Sequence, residues 1–450
     1  MFKPANLEIN FVNILCADIW QHIISYSYIV EQLAVMQTCK GLYHHLFIYN
    51  LDSFHYDKKM SLRIELAFNN FILRQRKYRQ LKSLILTNNH TITNFGLARL
   101  IYLEKLIIPN NQTVTNSIFT KLTNLKILNI NNCFKITDIN CLINLEEINI
   151  GGKCGVKDYG ISNLNPKKIV LKNNYKIRNL NHMTNLLDVD ISFTKINNCG
   201  IKSINPINLN IFANRFINEF DHMTNLKHLI VSHNNVAAEN IKNLDLDSLK
   251  LYKSNIMDLN HLVNLKKLVL HNSDISDIGI KYLKNIEHLD IKYSENITDI
   301  NHMTKIKVLK LHRTSLSNKS IINLNPRVLK LHNSHFIDNI NHMTNIKELY
   351  ISYSDNMDDG FKNVNPIILK LRCPLYVNDI NHMTNIKELH IYDGTLRDTA
   401  IRGINPEILV LKNSYDKINL DHFTNLKKIE ADIDCEIFQN YYDNYLINKH

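Results

Sequence analysis

The sequence predicts an α/β fold: a solenoid of about 18 coils of roughly 20 residues carrying a parallel concave sheet, preceded by a small all-α domain. Three observations predict it. A pentapeptide returns at nearly constant intervals, a proline phrase returns about half-way between its copies, and each leads into the same apolar–x–apolar triplet.

The pentapeptide reads NHMTN at 181–185, 341–345 and 381–385, with variants at 221–225, 260–264, 301–305 and 421–425. Its spacing is 39–41 residues. The proline phrase carries Pro166, Pro206, Pro326, Pro366 and Pro406. Both precede triplets such as Leu309–Leu311 and Leu329–Leu331, so 40 residues form a doublet of two 20-residue units. Alternation with period two marks a short strand with one buried face. Triplets recur from Leu84 to Ile429, 18 in all. One such coil cannot close a core, but stacked coils bury a continuous one. Each buried Leu or Ile then contributes roughly 1.5–3 kcal/mol.

Three residues beyond the triplet stands Asn or a hydroxyl residue: Asn89, Asn111, Asn174, Asn214, Asn234, Ser254, Ser273, Ser334 and Ser354. A small polar side chain there is suited to bond the backbone of the following bend, and stacked coils would share a ladder of such bonds. These features resemble the leucine-rich repeat. Residues 125–142, LKILNINNCFKITDINCL, resemble its cysteine-containing subtype, and the DxGI phrase returns at Asp158–Ile161 and Asp277–Ile280.

Residues 8–50 are of another kind. Ile19, Ile23 and Ile24 fall on one helical face, and Leu33, Met36, Cys39, Leu42 and Leu46 on another. Two or three short amphipathic helices are too few for a stable core alone. Leu15, Asp18, Ile19, Ile23, Ser25, Tyr26, Leu33, Thr38, Cys39 and Lys40 fall in the order of the F-box, which this segment resembles. It departs from that pattern at Cys16, where Pro is usual, at Ser27 or Tyr28, where Leu is usual, and at 41–43, where Trp or Arg is common. The resemblance implies docking on a Skp-type adaptor of a cullin ubiquitin ligase through Leu15, Ile19, Ile23, Leu33 and Cys39, with the repeats holding the target. Residues 51–80 read as a helical linker and cap, with Leu62, Leu66 and Ile72 as its apolar face. The solenoid is expected over 81–431 and a C-terminal cap over 432–450.

Composition narrows the function. The chain has 450 residues, a formal charge of +11 and 65 Asn. The Asn-, Ile- and Lys-rich mix resembles proteins of protists and giant DNA viruses. A basic balance favours acidic partners. The eight cysteines form no CxxC and no even framework, which suits a reducing compartment. No secretory leader or apolar run of 18 residues is expected, so the reading is a protein of the cytoplasm or nucleus, host cytoplasm if viral, without a membrane.

Two sets of residues invite a site. The recurrent His182, His222, His261, His302, His342, His382 and His422 lie on alternate coils, too far apart for one zinc ion to bridge, and read as structural bend residues. The concave face of the later coils is basic: Lys250, Tyr252, Lys310, His312, Lys330, His332, Lys370, Arg372, His390, Tyr392 and Lys412. Earlier coils place Asn129, Asn149, Asp190, Ser192, Asn210 and Phe212 there. The expectation is an acidic or phosphorylated protein partner over coils 9–17. GxSxG, GxxxxGK[ST] and HExxH motifs are absent, so no enzyme, metal or cofactor is expected. The alternative to a ligase subunit is a repeat scaffold or inhibitor that binds a partner without recruiting ligase. Nucleic acid is the weaker expectation, because stacking aromatics look sparse on that face. Outside its complex the chain is expected to be a monomer.

Overall fold

The computed structural model describes residues 70–431, apart from 234–235, 354–358, 374–378, 395–397 and 414–419, together with 19–21, 32, 35–36, 46–48 and 50–51. The expected cap at 432–450 lies outside the described residues, as do Leu15, Ile23, Leu33, Cys39, Leu62 and Leu66. The chain divides into two compact units, Met1–Ile217 and Asn218–His450.

Among the described residues the first unit contains eight strands: β1 (Asn50–Leu51), β2 (Ser83–Ile85), β3 (Lys105–Ile107), β4 (Ile127–Asn129), β5 (Glu147–Asn149), β6 (Lys168–Val170), β7 (Asp188–Asp190) and β8 (Asn208–Phe212). They pair in order and in parallel. The strand β1 adds to what the repeat pattern shows. It precedes the first triplet, with Asn50 and Leu51 opposite Ser83 and Leu84. Within the expected linker the described residues include a single helical turn at Asn70–Leu73 and a 3₁₀ turn at Arg76–Tyr78. Leu73 and Tyr78 are buried there.

Among the described residues the second unit contains eleven strands: β9 (His228–Ser232), β10 (Ser248–Tyr252), β11 (Lys267–His271), β12 (His288–Lys292), β13 (Val308–His312), β14 (Val328–His332), β15 (Glu348–Ser352), β16 (Ile368–Arg372), β17 (Glu388–Tyr392), β18 (Ile408–Lys412) and β19 (Lys428–Ala431). These too pair in order and in parallel. All 18 triplets begin inside a strand. Register is strict: Leu249 and Leu251 lie opposite Leu268 and Leu270, which lie opposite Leu289 and Ile291. A slip of one residue would turn every apolar side chain outward.

The two recurring phrases are an inter-coil bonding code. In NHMTN the first Asn clamps the next coil. Asn341 Nδ2 donates to Asp359 O (2.7 Å) while its Oδ1 accepts from Asn363 N (2.9 Å). The His reaches back to the preceding coil, the Met fills the core, and the last residue's backbone N–H donates to the Asn of the proline phrase. Thus His342 Nε2 bonds Ile321 O (3.0 Å), Met343 is fully buried, and Asn345 N donates to Asn325 Oδ1 (2.9 Å). His182, His261, His302, His382 and His422 make the same carbonyl bond at 2.9–3.2 Å. Each therefore has a structural partner in the neighbouring coil.

The DxGI glycine has a steric reason. A Cβ on Gly279 would overlap the carbonyl oxygen of Met257 in the preceding coil. Only glycine lets the two backbones approach so closely.

Candidate partner-binding face

The strands β9 to β18 of the second unit bury their two leucine-type positions, and most show the residues between and after them, the exceptions being Val269 and Val410 between and Ser232 and Ser352 after, which are buried. Register converts that local pattern into rows. Lys310 lies opposite Lys330, and Tyr350 opposite Lys370, which lies opposite His390. One row further, His312 lies opposite His332, Ser352 opposite Arg372, and Arg372 opposite Tyr392. Lys250 and Tyr252 sit on the same rows of β10, and Lys412 on β18. All eleven residues singled out from the sequence thus stand on the sheet face of one unit. Lys330, Arg372 and Lys412 are exposed, and the other eight are half-buried.

Not all of these cations are equally available. Arg372 Nε bonds Asp393 Oδ2 at 2.7 Å. Lys310 approaches Asp290 at 3.9 Å, and Asp290 also holds His271 at 3.2 Å. Lys330 and Lys370 have no carboxylate partner among the described residues. On the four strands β13 to β16, Glu348 is the one carboxylate, against Lys310, Lys330, Lys370 and Arg372. The surface field over these coils is accordingly positive.

The histidines add little to that charge near neutral pH. Burial pushes His312 down to about 4, and the neighbouring His332, Lys292 and Arg313 act in the same direction. Its Nε2 is buried with no hydrogen-bond partner among the described residues. His288 is likewise pushed down to about 4 by burial and then by Lys267 and Lys310. Burial is also the first cause for His332 and His390, both held below the ordinary imidazole value. Charge on this face therefore comes from Lys and Arg.

The structure brings in residues that the sequence reading left out. Two residues past each triplet the backbone is left-handed. In the first unit this position holds Asn88, Asn110, Asn132, Gly152 and Asn173 before Phe193 and Ala213. In the second it holds Lys253, Tyr293, Arg313 and Tyr353 among others. Bulky residues pay of order 1–2 kcal/mol for this conformation, which Asn and Gly largely avoid. Held there, Tyr293 packs its ring 4.8 Å from His312, which stacks on His332 at 3.9 Å, which meets Tyr353 at 5.5 Å. Lys292 and Arg313 lie 5.2 and 5.6 Å from the Tyr293 ring centroid. A band of aromatic and cationic groups thus flanks the lysine row. The signal was present in sequence, as large residues where the early coils place Asn or Gly.

Of the adaptor-docking residues, Ile19 is described, and it is 47 % exposed. Nearby, Gln21 holds both backbone groups of Phe47: its Nε2 donates to Phe47 O (2.8 Å) and its Oε1 accepts from Phe47 N (2.6 Å).

Neither a protein-family model nor a curated protein sequence matches the chain. Solved structures do. TLR13, in a complex with ssRNA13, is 17 % identical over 79 % of this chain and 70 % of its own, with a TM-score of 0.51. The leucine-rich-repeat protein LIC12759 of Leptospira interrogans is 15 % identical over 85 % of this chain and all of its own, with a TM-score of 0.45. The functional domain of InlJ from Listeria monocytogenes, which includes a cysteine ladder, is 20 % identical over 78 % and 76 %, at 0.41. At such identities the likeness concerns the fold. The strand register, the buried polar ladder and the 20-residue coil, together with the likeness to TLR13, show that this chain folds as a leucine-rich-repeat solenoid.

Proposed function

We propose that the chain is a non-catalytic binding module that takes an acidic protein partner on the sheet face of its second unit, and that it serves as the substrate-recognition subunit of a cullin-type ubiquitin ligase. The first part is carried by one observation: Lys310, Lys330 and Lys370 on one row and Arg372 on the next stand over strands β13 to β16, whose single carboxylate is Glu348, and Lys330 and Lys370 have no carboxylate partner among the described residues. Bulky side chains held in left-handed backbone beside them support it, because such strain collects where a surface is used. The second part is supported by the F-box pattern from Leu15 to Lys40 and by the exposure of Ile19, the side-chain type that docks an adaptor. In this role the module performs no chemistry. It raises the local concentration of a target lysine near the charged ubiquitin. The site of action is then the cytoplasm or nucleus.

Co-purification of the full chain with a Skp-type adaptor tests the ligase role. The wild-type chain is expected to retain the adaptor and Ile19→Asp to lose it. Absence of any complex with the wild type would leave a repeat scaffold that binds its partner without ubiquitination.

A further inference from the structure

Just before many strands runs a row on which cations and carboxylates alternate from coil to coil, with apolar residues at Leu187, Ile207 and Ile367. In the first unit Glu104 bonds Lys126 (2.8 Å) and Lys82 (3.7 Å), and Glu146 bonds Lys167 (2.9 Å). In the second unit the pattern resumes with Asp247 to Lys266 (3.1 Å) and Glu287 to Lys307 (2.7 Å), and it returns where Glu407 bonds Lys427 (2.7 Å) and Lys387 (3.5 Å). Carboxylates of this row fall on alternate coils. Coil by coil, the next one is due at position 327, which holds Arg. Lys307, Arg327 and Lys347 therefore follow one another on adjacent strands, which lie about 4.8 Å apart. Arg327 and Lys347 have no anionic partner among the described residues. Three like charges at that spacing repel, and nothing in the packing of the coils requires them.

At this break the surface forms a solvent-open depression of about 460 Å³. Lys307, Arg327 and Lys347 line it, Asn325 and Asn345 join them, and Ile306 and Ile367 complete the wall. The Asn325 Oδ1 is engaged by Asn345 N, which leaves the Asn325 amide N–H groups to donate. The site thus offers a guanidinium fork, the Lys347 ammonium and an amide donor, with the Lys307 ammonium shared with Glu287, and none of its described lining residues is a carboxylate. A phosphate monoester carries nearly two negative charges and three acceptor oxygens. A guanidinium binds two of those oxygens at once, with flanking lysines as point charges.

We propose that this depression receives a phosphate monoester carried on a side chain of the partner protein. The proposal rests on the reading of the chain as a protein-binding module. It places the phosphate at the strand-entry edge, beside the Lys330–Lys370 face but outside it. The partner is then bound by two features, an acidic stretch along the face and a phosphorylated residue at its edge.

The test is ³¹P line broadening of N-acetyl-phosphoserine amide, and separately of inorganic phosphate, by the full chain. The wild type is expected to bind the amide at least as well as inorganic phosphate. Arg327→Glu restores the alternation, so it is expected to melt at or above the wild-type temperature while binding the amide roughly tenfold or more weakly. Lys347→Gln, a milder change, should weaken it less. The triple variant Lys330→Glu, Lys370→Glu, Arg372→Glu should keep amide binding even where it loses an acidic peptide, which separates this site from the face. Equal binding by Arg327→Glu and wild type would overturn the proposal. So would binding of inorganic phosphate without the amide, or no broadening by the wild type.

Discussion

The two units are built on one repeat, and they use its polar positions differently. In the first, Asn fills the ladder. Asn111 Nδ2 donates to Asn89 O (2.8 Å) and Ile92 O (2.9 Å), and its Oδ1 accepts from Thr113 N (3.0 Å) and Val114 N (2.9 Å). Cys133 takes the equivalent place in its coil and donates to Ile108 O, its thiol pushed up to about 12 chiefly by burial. In the second, Ser fills the ladder with fewer and longer bonds: Ser334 Oγ reaches Leu311 O at 3.4 Å. The first unit also keeps Asn or Gly in most of its left-handed positions, and the strands β1 to β8 carry no histidine. The second keeps Asn at 272, 333 and 413 but gives Lys253, Tyr293, Arg313 and Tyr353 to four of those positions, and it raises a basic, histidine-bearing face. The difference teaches that one coil geometry serves rigidity in one stretch and display in the other.

The comparison breaks most sharply at the ladder. Asn111→Ala removes four hydrogen bonds and strips the Thr113 and Val114 amides of their side-chain acceptor, and should cost about 3 kcal/mol of unfolding free energy, whereas Ser334→Ala should cost about 1 kcal/mol or less. Urea titration of both variants measures this, and equal losses would erase the distinction.

Acid should then separate the units. His288 and His312 hold folded values near 4, below the ordinary 6.5, so the unfolded chain takes up protons that the folded one refuses. Stability from this source is fully present above about pH 6.5 and is lost as the pH falls toward 4. Amide exchange should accelerate over β11 to β14 between pH 7 and pH 5, after correction for intrinsic rates, and not over β2 to β7. His312→Asn should flatten the response.

The smallest effect sharpens the contrast in the opposite direction. Arg313→Asn and Tyr353→Asn give the left-handed positions the residue that the first unit prefers. Each should stabilise by about 0.5–1 kcal/mol and weaken partner binding. Calorimetry of the two variants checks the gain, and a loss of stability would mean that their stacking outweighs the backbone cost.

Much of this was legible in the sequence because the repeat makes one physical demand 18 times over. The triplets, the polar ladder and the face residues follow from period two and a 20-residue return. The pairing of β1 was not legible, since Asn50–Leu51 is too short to show periodicity and its partner lies 33 positions away. Nor was the aromatic band. Tyr293 and Tyr353 lie outside the alternating strand positions, and only the left-handed backbone swings them toward His312 and His332. The depression at Arg327 shows in sequence only once the register has aligned its row across coils.

The central claim is that binding belongs to the sheet face of the second unit. A fluorescent polyglutamate peptide titrated with the full chain tests it by anisotropy. Lys330→Glu, Lys370→Glu, Arg372→Glu together should weaken binding by about tenfold or more, while the matched triple Asn129→Glu, Asn149→Glu, Asn210→Glu in the first unit should change it by about twofold or less. Equal losses from the two triples would contradict the account, because binding would then follow net charge and not the face.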